Sequence, residues 1–236
     1  ALDPALRESD FPTADGPISD APYTLHDMAE DARAVLDRLG IAQAHVIGYS
    51  MGGLIAQILA ARYPARVRSL VSLMSADGAP WIESTPAAWS AMARSITCGG
   101  DMASRLDMLT EDAAIYRGPH LAFERAEMRL HIASALQRAD RPAGIFRQAL
   151  AVRGSGDRRD LLRRIGCPTL VVHGAADPVI APAQGKRAAA LVPHARLEIL
   201  DRAGHDFAPE VTARLATLLP AFLSEAAFTA PCAAAP

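Results

Sequence analysis

The sequence predicts an α/β fold in which helices cover both faces of a doubly wound, mostly parallel sheet. Three apolar runs, at residues 45–49, 67–74 and 168–173, alternate with segments of helical periodicity, and a fourth strand-like run follows at 196–200. Near-continuous apolar runs are typical of strands that are buried on both faces, as strands in parallel sheets are. The alternation of such runs with helices therefore predicts a parallel sheet rather than hairpins.

The helices are predicted from their ends and their apolar spacing. Thr24 is a suitable N-cap for a helix with apolar residues at helical spacing, and Gly40 ends it. A second helix, apolar on most faces, covers residues 51–63 and stops before a proline. Further helices are predicted at 182–191 and at 209–223, the latter interrupted at Pro220.

Residues 76–163 differ from the rest of the chain because they contain no strand-like run, and Gly and Pro divide them into about four helices. We interpret them as a helical cap inserted into a core of residues 1–75 and 164–225, followed by a disordered tail at 226–236. Four arginines near the end of the cap are expected on a solvated face: Arg158, Arg159, Arg163 and Arg164. Large apolar side chains of the insertion are candidates to line a pocket: Trp81, Trp89, Met92, Met102, Met108, Phe123 and Phe146.

Composition and charge argue against several classes of partner. The 24 Lys and Arg residues nearly balance 26 Asp and Glu, and the net charge of −2 argues against nucleic acid. No apolar run has the length of a spanning helix, and residues 1–20 lack a signal-peptide pattern, so no membrane partner is expected. Cys98, Cys167 and Cys232 are widely spaced, which favours thiols in a reducing compartment and predicts a cytoplasmic protein. Neither metal-ligand spacing nor a phosphate loop is present, and we expect no metal and no cofactor.

The segment Gly48-Tyr49-Ser50-Met51-Gly52 matches the G-x-S-x-G nucleophile elbow. In this turn a serine between a strand and a helix is held in a strained conformation with its hydroxyl exposed. We expect glycine at positions 48 and 52 because strand and helix pass too close for side chains. The N-terminus of the helix would also stabilise a negative charge that develops on a substrate oxygen.

A serine nucleophile needs a base, and the base needs an orienting carboxylate. Asp177 follows the predicted strand at 168–173, and His205 follows the strand at 196–200. Both therefore lie at the carboxyl edge of the sheet, where Ser50 also lies and where open α/β sheets place their sites. Asp77, which follows the strand at 67–74, is an alternative acid at the same edge.

These features make the chain resemble the α/β-hydrolase fold superfamily from residue 23 to 223, and within it the serine esterase branch that includes aclacinomycin methylesterase. The resemblance is carried by residues 23–29, 66–70, 168–174 and 204–206 together with the elbow. It implies Ser50 as nucleophile, His205 as base and then acid, and Asp177 as the residue that orients it. It also implies that the backbone N–H of Met51 stabilises the oxyanion and that residues 76–163 cover the site.

The reaction implied by this resemblance is hydrolysis of a small to medium, apolar carboxylic ester through an acyl-enzyme. Three other activities use the same triad: those of a lactonase, a C–C bond hydrolase and a cofactor-free haloperoxidase. A catalytically inactive, hydrolase-like binding module is a further alternative.

The sequence departs from the family at its beginning, because the strands and the His-Gly loop that precede this region in relatives have no counterpart in it. We therefore expect an N-terminally truncated sheet that lacks the second oxyanion N–H, a loss that costs about 10²–10³ in rate. We also expect the strand at 44–49 to have an exposed edge through which the chain self-associates.

Overall fold

Four strands form one parallel sheet in the order of the sequence: β1 (Ala44–Tyr49), β2 (Val67–Leu73), β3 (Thr169–Gly174) and β4 (Arg196–Leu200). They belong to a computed structural model that describes residues 21–97 and 101–228. The four predicted strands are present, and none of their ends differs from the prediction by more than one residue. Their carboxyl ends meet at one edge of the sheet, as parallel pairing requires.

Helices precede, separate and follow the strands: α1 (Leu25–Arg38), α2 (Met51–Arg62), α3 (Pro86–Thr97), α4 (Met102–Arg117), α5 (Arg125–Arg138), α6 (Pro142–Gly154), α7 (Arg159–Leu162), α8 (Pro182–Leu191) and α9 (Pro209–Phe228). A short 3₁₀ helix, Pro64–Arg66, leads into β2. The N-terminus of α1 is closed by a reciprocal capping box between Thr24 and Asp27. The predicted start of this helix is therefore confirmed.

The two faces of the sheet are covered by different helices. On β2, Leu70 packs with Leu25 of α1 and Ile58 of α2, whereas its neighbour Val71 packs with Leu215 of α9. Successive side chains of a strand point to opposite faces, so a continuous apolar run fills both cores at once. The near-continuous apolar sequence of β2 follows from this double burial.

Helix α9 differs from its prediction in two ways. It runs without interruption past Pro220, because Leu218 and Phe222, on either side of the proline, are both buried against the sheet and hold the two halves in line. It also continues to Phe228, and Ala226 is buried, so the first residues of the predicted tail are helical. Residues 229–236 of that tail lie outside the described residues.

Helices α3 to α6 belong to a segment between β2 and β3, residues 78–158, which we call the helical insertion. Its two ends meet, because the N–H of Arg158 donates to the carbonyl of Gly78 over 2.7 Å. The prediction that Arg158 is solvated is wrong: its side chain is buried and donates to the carbonyl of Gly156, and burial lowers the pKa of the guanidinium to about 10. Arg159, Arg163 and Arg164 are exposed as predicted.

Strand β1 lies at the edge of the described sheet. It pairs with β2 and, among residues 21–97 and 101–228, with no second strand. Ile47, in the middle of this edge, is 47% exposed.

Within residues 21–97 and 101–228, no helix combines the length and apolar character that crossing a bilayer requires. Cys98 and Cys232 lie outside the described part of the chain.

Candidate active site

Ser50 occupies the turn between β1 and α2, with φ of 53° and ψ of −123°. A positive φ is uncommon for a residue with a side chain and is maintained only where the surroundings impose it. Here the N–H of Ser50 donates to the carbonyl of Leu73 on the next strand over 2.9 Å, and its carbonyl accepts from the N–H of Gly53 over 2.9 Å. Both backbone groups are thus fixed, as the elbow motif predicts.

The glycines of the elbow have different roles from those expected. A Cβ on Gly48 would lie 2.3 Å from the carbonyl oxygen of Gly52, so the strand does pass too close for a side chain. A Cβ on Gly52, in contrast, would meet nothing within 4 Å, and the predicted packing reason for that glycine is wrong. The second close approach is at Gly53, where a Cβ would lie 2.6 Å from the Cβ of Ser75.

The structure brings the three predicted triad residues together in a chain of hydrogen bonds. Nε2 of His205 lies 2.9 Å from Oγ of Ser50, and Nδ1 lies 2.7 Å from Oδ2 of Asp177. Because an ionised carboxylate only accepts hydrogen bonds, the proton of the neutral imidazole belongs on Nδ1. Nε2 is then the acceptor for the hydroxyl hydrogen of Ser50, which is the arrangement a general base needs.

The carboxylate of Asp177 is ionised although its side chain is fully buried. Burial by itself raises the pKa of this group, but hydrogen bonds from His173 and His205 outweigh the burial and lower it to about 2. Its other oxygen, Oδ1, accepts from the backbone N–H groups of Val179 and Ile180 at 2.8 and 2.9 Å. Both oxygens are therefore held, and the carboxylate can orient the base without rotating.

The backbone of His205 is held from two sides by residues that the sequence did not single out. Its N–H donates to the carbonyl of Tyr116 at the end of α4 over 2.7 Å. Its carbonyl accepts from the hydroxyl of Tyr49 over 2.6 Å, and the Tyr49 ring lies 5.1 Å from the imidazole. Tyr49 stands next to Ser50 in the elbow, and that position was the only signal in the sequence for this contact.

Asp77, the alternative acid, has other partners. Its carboxylate accepts from Nε of Arg187 at 2.6 Å and from the side-chain amide of Gln184 at 3.3 Å, and both of these residues lie on α8. This ion pair joins the start of the insertion to the core. The carboxylate in contact with His205 is that of Asp177.

Met51 is the first residue of α2, and the N–H groups of a first helical turn have no acceptor within their own helix. The helix dipole adds partial positive charge at the same point. The backbone of Met51 can therefore donate to an oxyanion beside Ser50, as the resemblance implies.

A cavity of about 270 Å³ opens at Ser50 beneath the helical insertion. Most of its lining is apolar and comes from the insertion and from the loop that precedes α8. Trp81 and Trp89, with ring centroids 5.1 Å apart, form one wall. Met51, Met92, Ile145, Val152 and Ile180 contribute further apolar surface.

Three of the seven predicted pocket residues line this cavity, namely Trp81, Trp89 and Met92. Phe146 instead packs against Ala93 and Ile96 of α3, in a cluster that also contains Trp89 and Met92, and Met102 is exposed. Phe123 lies against the guanidinium groups of Arg117 and Arg125. Helical periodicity alone did not separate residues that face the cavity from those that face a neighbouring helix.

Comparison with known proteins identifies the family. Residues 6–96 match the family described as α/β hydrolase fold. The chain is 32% identical over 225 residues to 2-hydroxymuconate semialdehyde hydrolase of Pseudomonas putida, an alignment that covers 90% of this chain and 72% of that protein. The chain belongs to the α/β-hydrolase family.

Two further relatives of this α/β hydrolase are also hydrolases. 3-Oxoadipate enol-lactonase 1 of Acinetobacter baylyi is 32% identical over 166 residues, which are 69% of this chain and 58% of that enzyme. A crystal structure of a hydrolase from Pseudomonas aeruginosa is 30% identical and superposes with a TM-score of 0.66 over 88% of this chain and 73% of the other. The fold predicted from the sequence is thus confirmed by its relatives, which are enzymes.

Proposed function

We propose that this α/β hydrolase cleaves a small to medium, apolar carboxylic ester through an acyl-enzyme intermediate. One observation carries the proposal: Ser50 Oγ is 2.9 Å from an imidazole whose other nitrogen is bonded to a buried carboxylate, at the mouth of an apolar cavity. This combination supplies a nucleophile, a base and a binding surface for an apolar acyl or alcohol group.

In the first half of the reaction, Oγ of Ser50 attacks the ester carbonyl while Nε2 of His205 takes the hydroxyl proton. The carbonyl oxygen becomes an oxyanion, to which the N–H of Met51 donates. The tetrahedral intermediate then expels the alcohol, and the imidazolium returns its proton to the leaving oxygen. Asp177 stabilises the imidazolium and keeps the ring in place throughout.

In the second half, water attacks the acyl-enzyme while Nε2 of His205 accepts one of its protons. A second tetrahedral intermediate collapses, the bond between the acyl carbon and Oγ breaks, and the proton passes to Oγ. The carboxylic acid leaves, and Ser50 and His205 return to their starting protonation states. The net change is the addition of one water to one ester, and it requires no other reactant.

The cavity sets the size and polarity of the substrate. At about 270 Å³ the cavity is close to the lower end of the usual range for ligand sites, which favours a small to medium substrate. The paired indoles of Trp81 and Trp89 offer a large apolar surface to the substrate. The 3-oxoadipate enol-lactonase among the relatives supports ester chemistry, because a lactone is an internal ester.

The test uses a fluorophosphonate probe and p-nitrophenyl esters with acyl groups from acetyl to octanoyl. We expect one label per chain, at Ser50, and a rate that falls for the longest acyl groups. Ser50→Ala should abolish labelling and lower ester turnover at least about 1,000-fold. Ser95→Ala is the matched control, since Ser95 lines the same cavity but donates its hydroxyl to the carbonyl of Met92. Equal labelling of the wild type and Ser50→Ala would refute the proposal.

A second candidate is hydrolysis of a carbon–carbon bond, favoured by the similarity to 2-hydroxymuconate semialdehyde hydrolase. The compound in that name contains no ester, so its hydrolysis breaks a bond between carbons. To distinguish the two candidates, the protein is incubated with this semialdehyde, and the decrease in the absorbance of the semialdehyde is measured over time. Turnover of the semialdehyde without turnover of the esters would favour the second.

A further inference from the structure

The helical insertion contacts the loop that carries His205 through a set of backbone and side-chain contacts. We call residues 203–206 the base loop and residues 116–118, at the end of α4, the α4 end. The N–H of His205 donates to the carbonyl of Tyr116 over 2.7 Å. The backbone of the base is therefore hydrogen-bonded to the insertion. The two segments are distant in the sequence, since Arg117 and Asp206 are 89 residues apart.

The backbones of the two segments are in direct contact at glycine. A Cβ on Gly204 would lie 2.3 Å from the carbonyl oxygen of Arg117 and 2.4 Å from that of Tyr116. On the other side, a Cβ on Gly118 would lie 3.3 Å from the carbonyl oxygen of Ala176, the residue before Asp177. The backbone of the α4 end is thus in close contact with both the base loop and the loop that carries Asp177.

A buried ion pair closes the same junction. Nε of Arg117 donates to Oδ2 of Asp206, the residue after His205, and the two side chains are only 8% and 16% exposed. The guanidinium also donates to the carbonyl of Ala122 and lies 5.7 Å from the centre of the Phe123 ring. Arg117 is therefore fixed by the insertion at one side while it holds Asp206 at the other.

We propose that Arg117 is a positioning residue, which holds the base loop through Asp206 and so sets the distance between His205 and Ser50. The inference rests on the proposed function, because it assigns His205 the role of base. Proton transfer requires the base within hydrogen-bond reach of the hydroxyl, and small misplacements of such groups have large effects on rate. Through this contact the position of the insertion over the cavity is coupled to the geometry of the base.

The experiment compares Arg117→Met and Asp206→Ala with the wild type, using p-nitrophenyl ester hydrolysis and the rate of fluorophosphonate labelling. We expect kcat and the labelling rate to fall about tenfold to 100-fold while KM stays within about twofold, because the contact orients the base and not the substrate. The double variant should be no slower than the slower of the two single variants, since both substitutions remove the same contact between Arg117 and Asp206.

Arg125→Met is the matched control. Arg125 also lies beside the Phe123 ring, at 6.0 Å, but pairs with exposed Glu111 instead of the base loop. Its removal should leave kcat and KM unchanged. If Arg117→Met does not fold, Asp206→Asn, which keeps the shape of the side chain and removes its charge, provides the same comparison.

Three results would overturn the inference: labelling of folded Arg117→Met at the wild-type rate, a loss confined to KM, or single-variant effects that multiply in the double variant. Each would leave the proposed function intact, because the wild type and Ser50→Ala test that function independently. A wild type that is not labelled at all would overturn both.

Discussion

The buried imidazole of His173 contacts the carboxylate of Asp177, with 3.3 Å between Nε2 and Oδ2. The same nitrogen lies 2.9 Å from the carbonyl oxygen of Ile180, so Nε2 carries the hydrogen and shares it between two acceptors. Oδ2 of Asp177 is also the atom that accepts the hydrogen bond from His205. Two histidines thus donate to one oxygen, one in the proposed triad and one behind it.

We predict that His173→Leu lowers the free energy of unfolding by about 1.5–3 kcal/mol, the usual contribution of a hydrogen bond to a charged group. It should also slow the labelling of Ser50, because the carboxylate loses one of its two side-chain donors. His173→Gln is the matched variant, since its amide N–H can still donate, and it should lose less in both measurements. Urea unfolding and fluorophosphonate labelling check this; equal effects of the two substitutions would contradict a role for the donated hydrogen.

The low pKa of Asp177 predicts how stability depends on pH. The pKa is about 2 in the folded protein against an ordinary 3.8, so the ionised carboxylate stabilises the folded state above pH 3.8. This contribution is lost as the pH falls through 2, and it amounts to about 2 kcal/mol. The difference in unfolding free energy between the wild type and Asp177→Asn should therefore shrink between about pH 6 and about pH 2.5.

Asp157 is the control for this measurement, because its pKa is also about 2 but its side chain is 45% exposed, in an ion pair with Arg159. Solvent screens such a pair, so Asp157→Asn should change the unfolding free energy much less at every pH. A pH-independent difference for Asp177→Asn would show that the carboxylate does not titrate with folding.

The contrast between Gly52 and Gly53 gives a prediction about the elbow. Gly52→Ala should be neutral or stabilising by up to about 1 kcal/mol, because the new methyl group meets open space and alanine favours a helix. Gly53→Ala should destabilise by about 1–3 kcal/mol, because the methyl group would overlap Ser75, which is completely buried. Thermal and urea unfolding of the two variants test this, and similar losses in both would contradict the packing seen around the elbow.

The exposed edge of β1 predicts that the 236-residue chain associates with a second copy. Ile47 is exposed at an edge whose backbone groups have no strand partner among the described residues, and such edges template pairing. We expect light scattering to show association that increases with protein concentration and that decreases in Ile47→Lys. Arg68→Lys on β2 keeps the charge at an exposed position of the neighbouring strand and should change nothing. A wild type that stays monomeric at all concentrations would contradict the prediction.

The helices and strands could be predicted from the sequence, because they depend on patterns among residues that are near one another in the chain. The apolar runs that became β2 and β3 are buried on both faces, and a strand in that position requires no polar alternation. The G-x-S-x-G pattern and the order of Ser50, Asp177 and His205 were sufficient to predict one shared sheet edge, since parallel strands end together. For the same reason the fold class and the three candidate residues could be predicted without coordinates.

Only the tertiary structure decided which side chains support those residues. Tyr116 and Arg117 lie outside the motifs, and their contacts with the base loop join segments that are distant in the sequence. His173 lies only four residues before Asp177, in a stretch that carries the resemblance, but no pattern in the sequence assigned a role to its side chain. The same holds for Arg158, whose sequence neighbours predicted a solvated face and whose side chain is buried. Periodicity determines which face of a helix is apolar, whereas the element that covers this face is set by packing across the whole chain. For that reason the sequence by itself predicted the strands and the triad candidates, and the three-dimensional packing decided the partners that hold them and the residues that line the cavity.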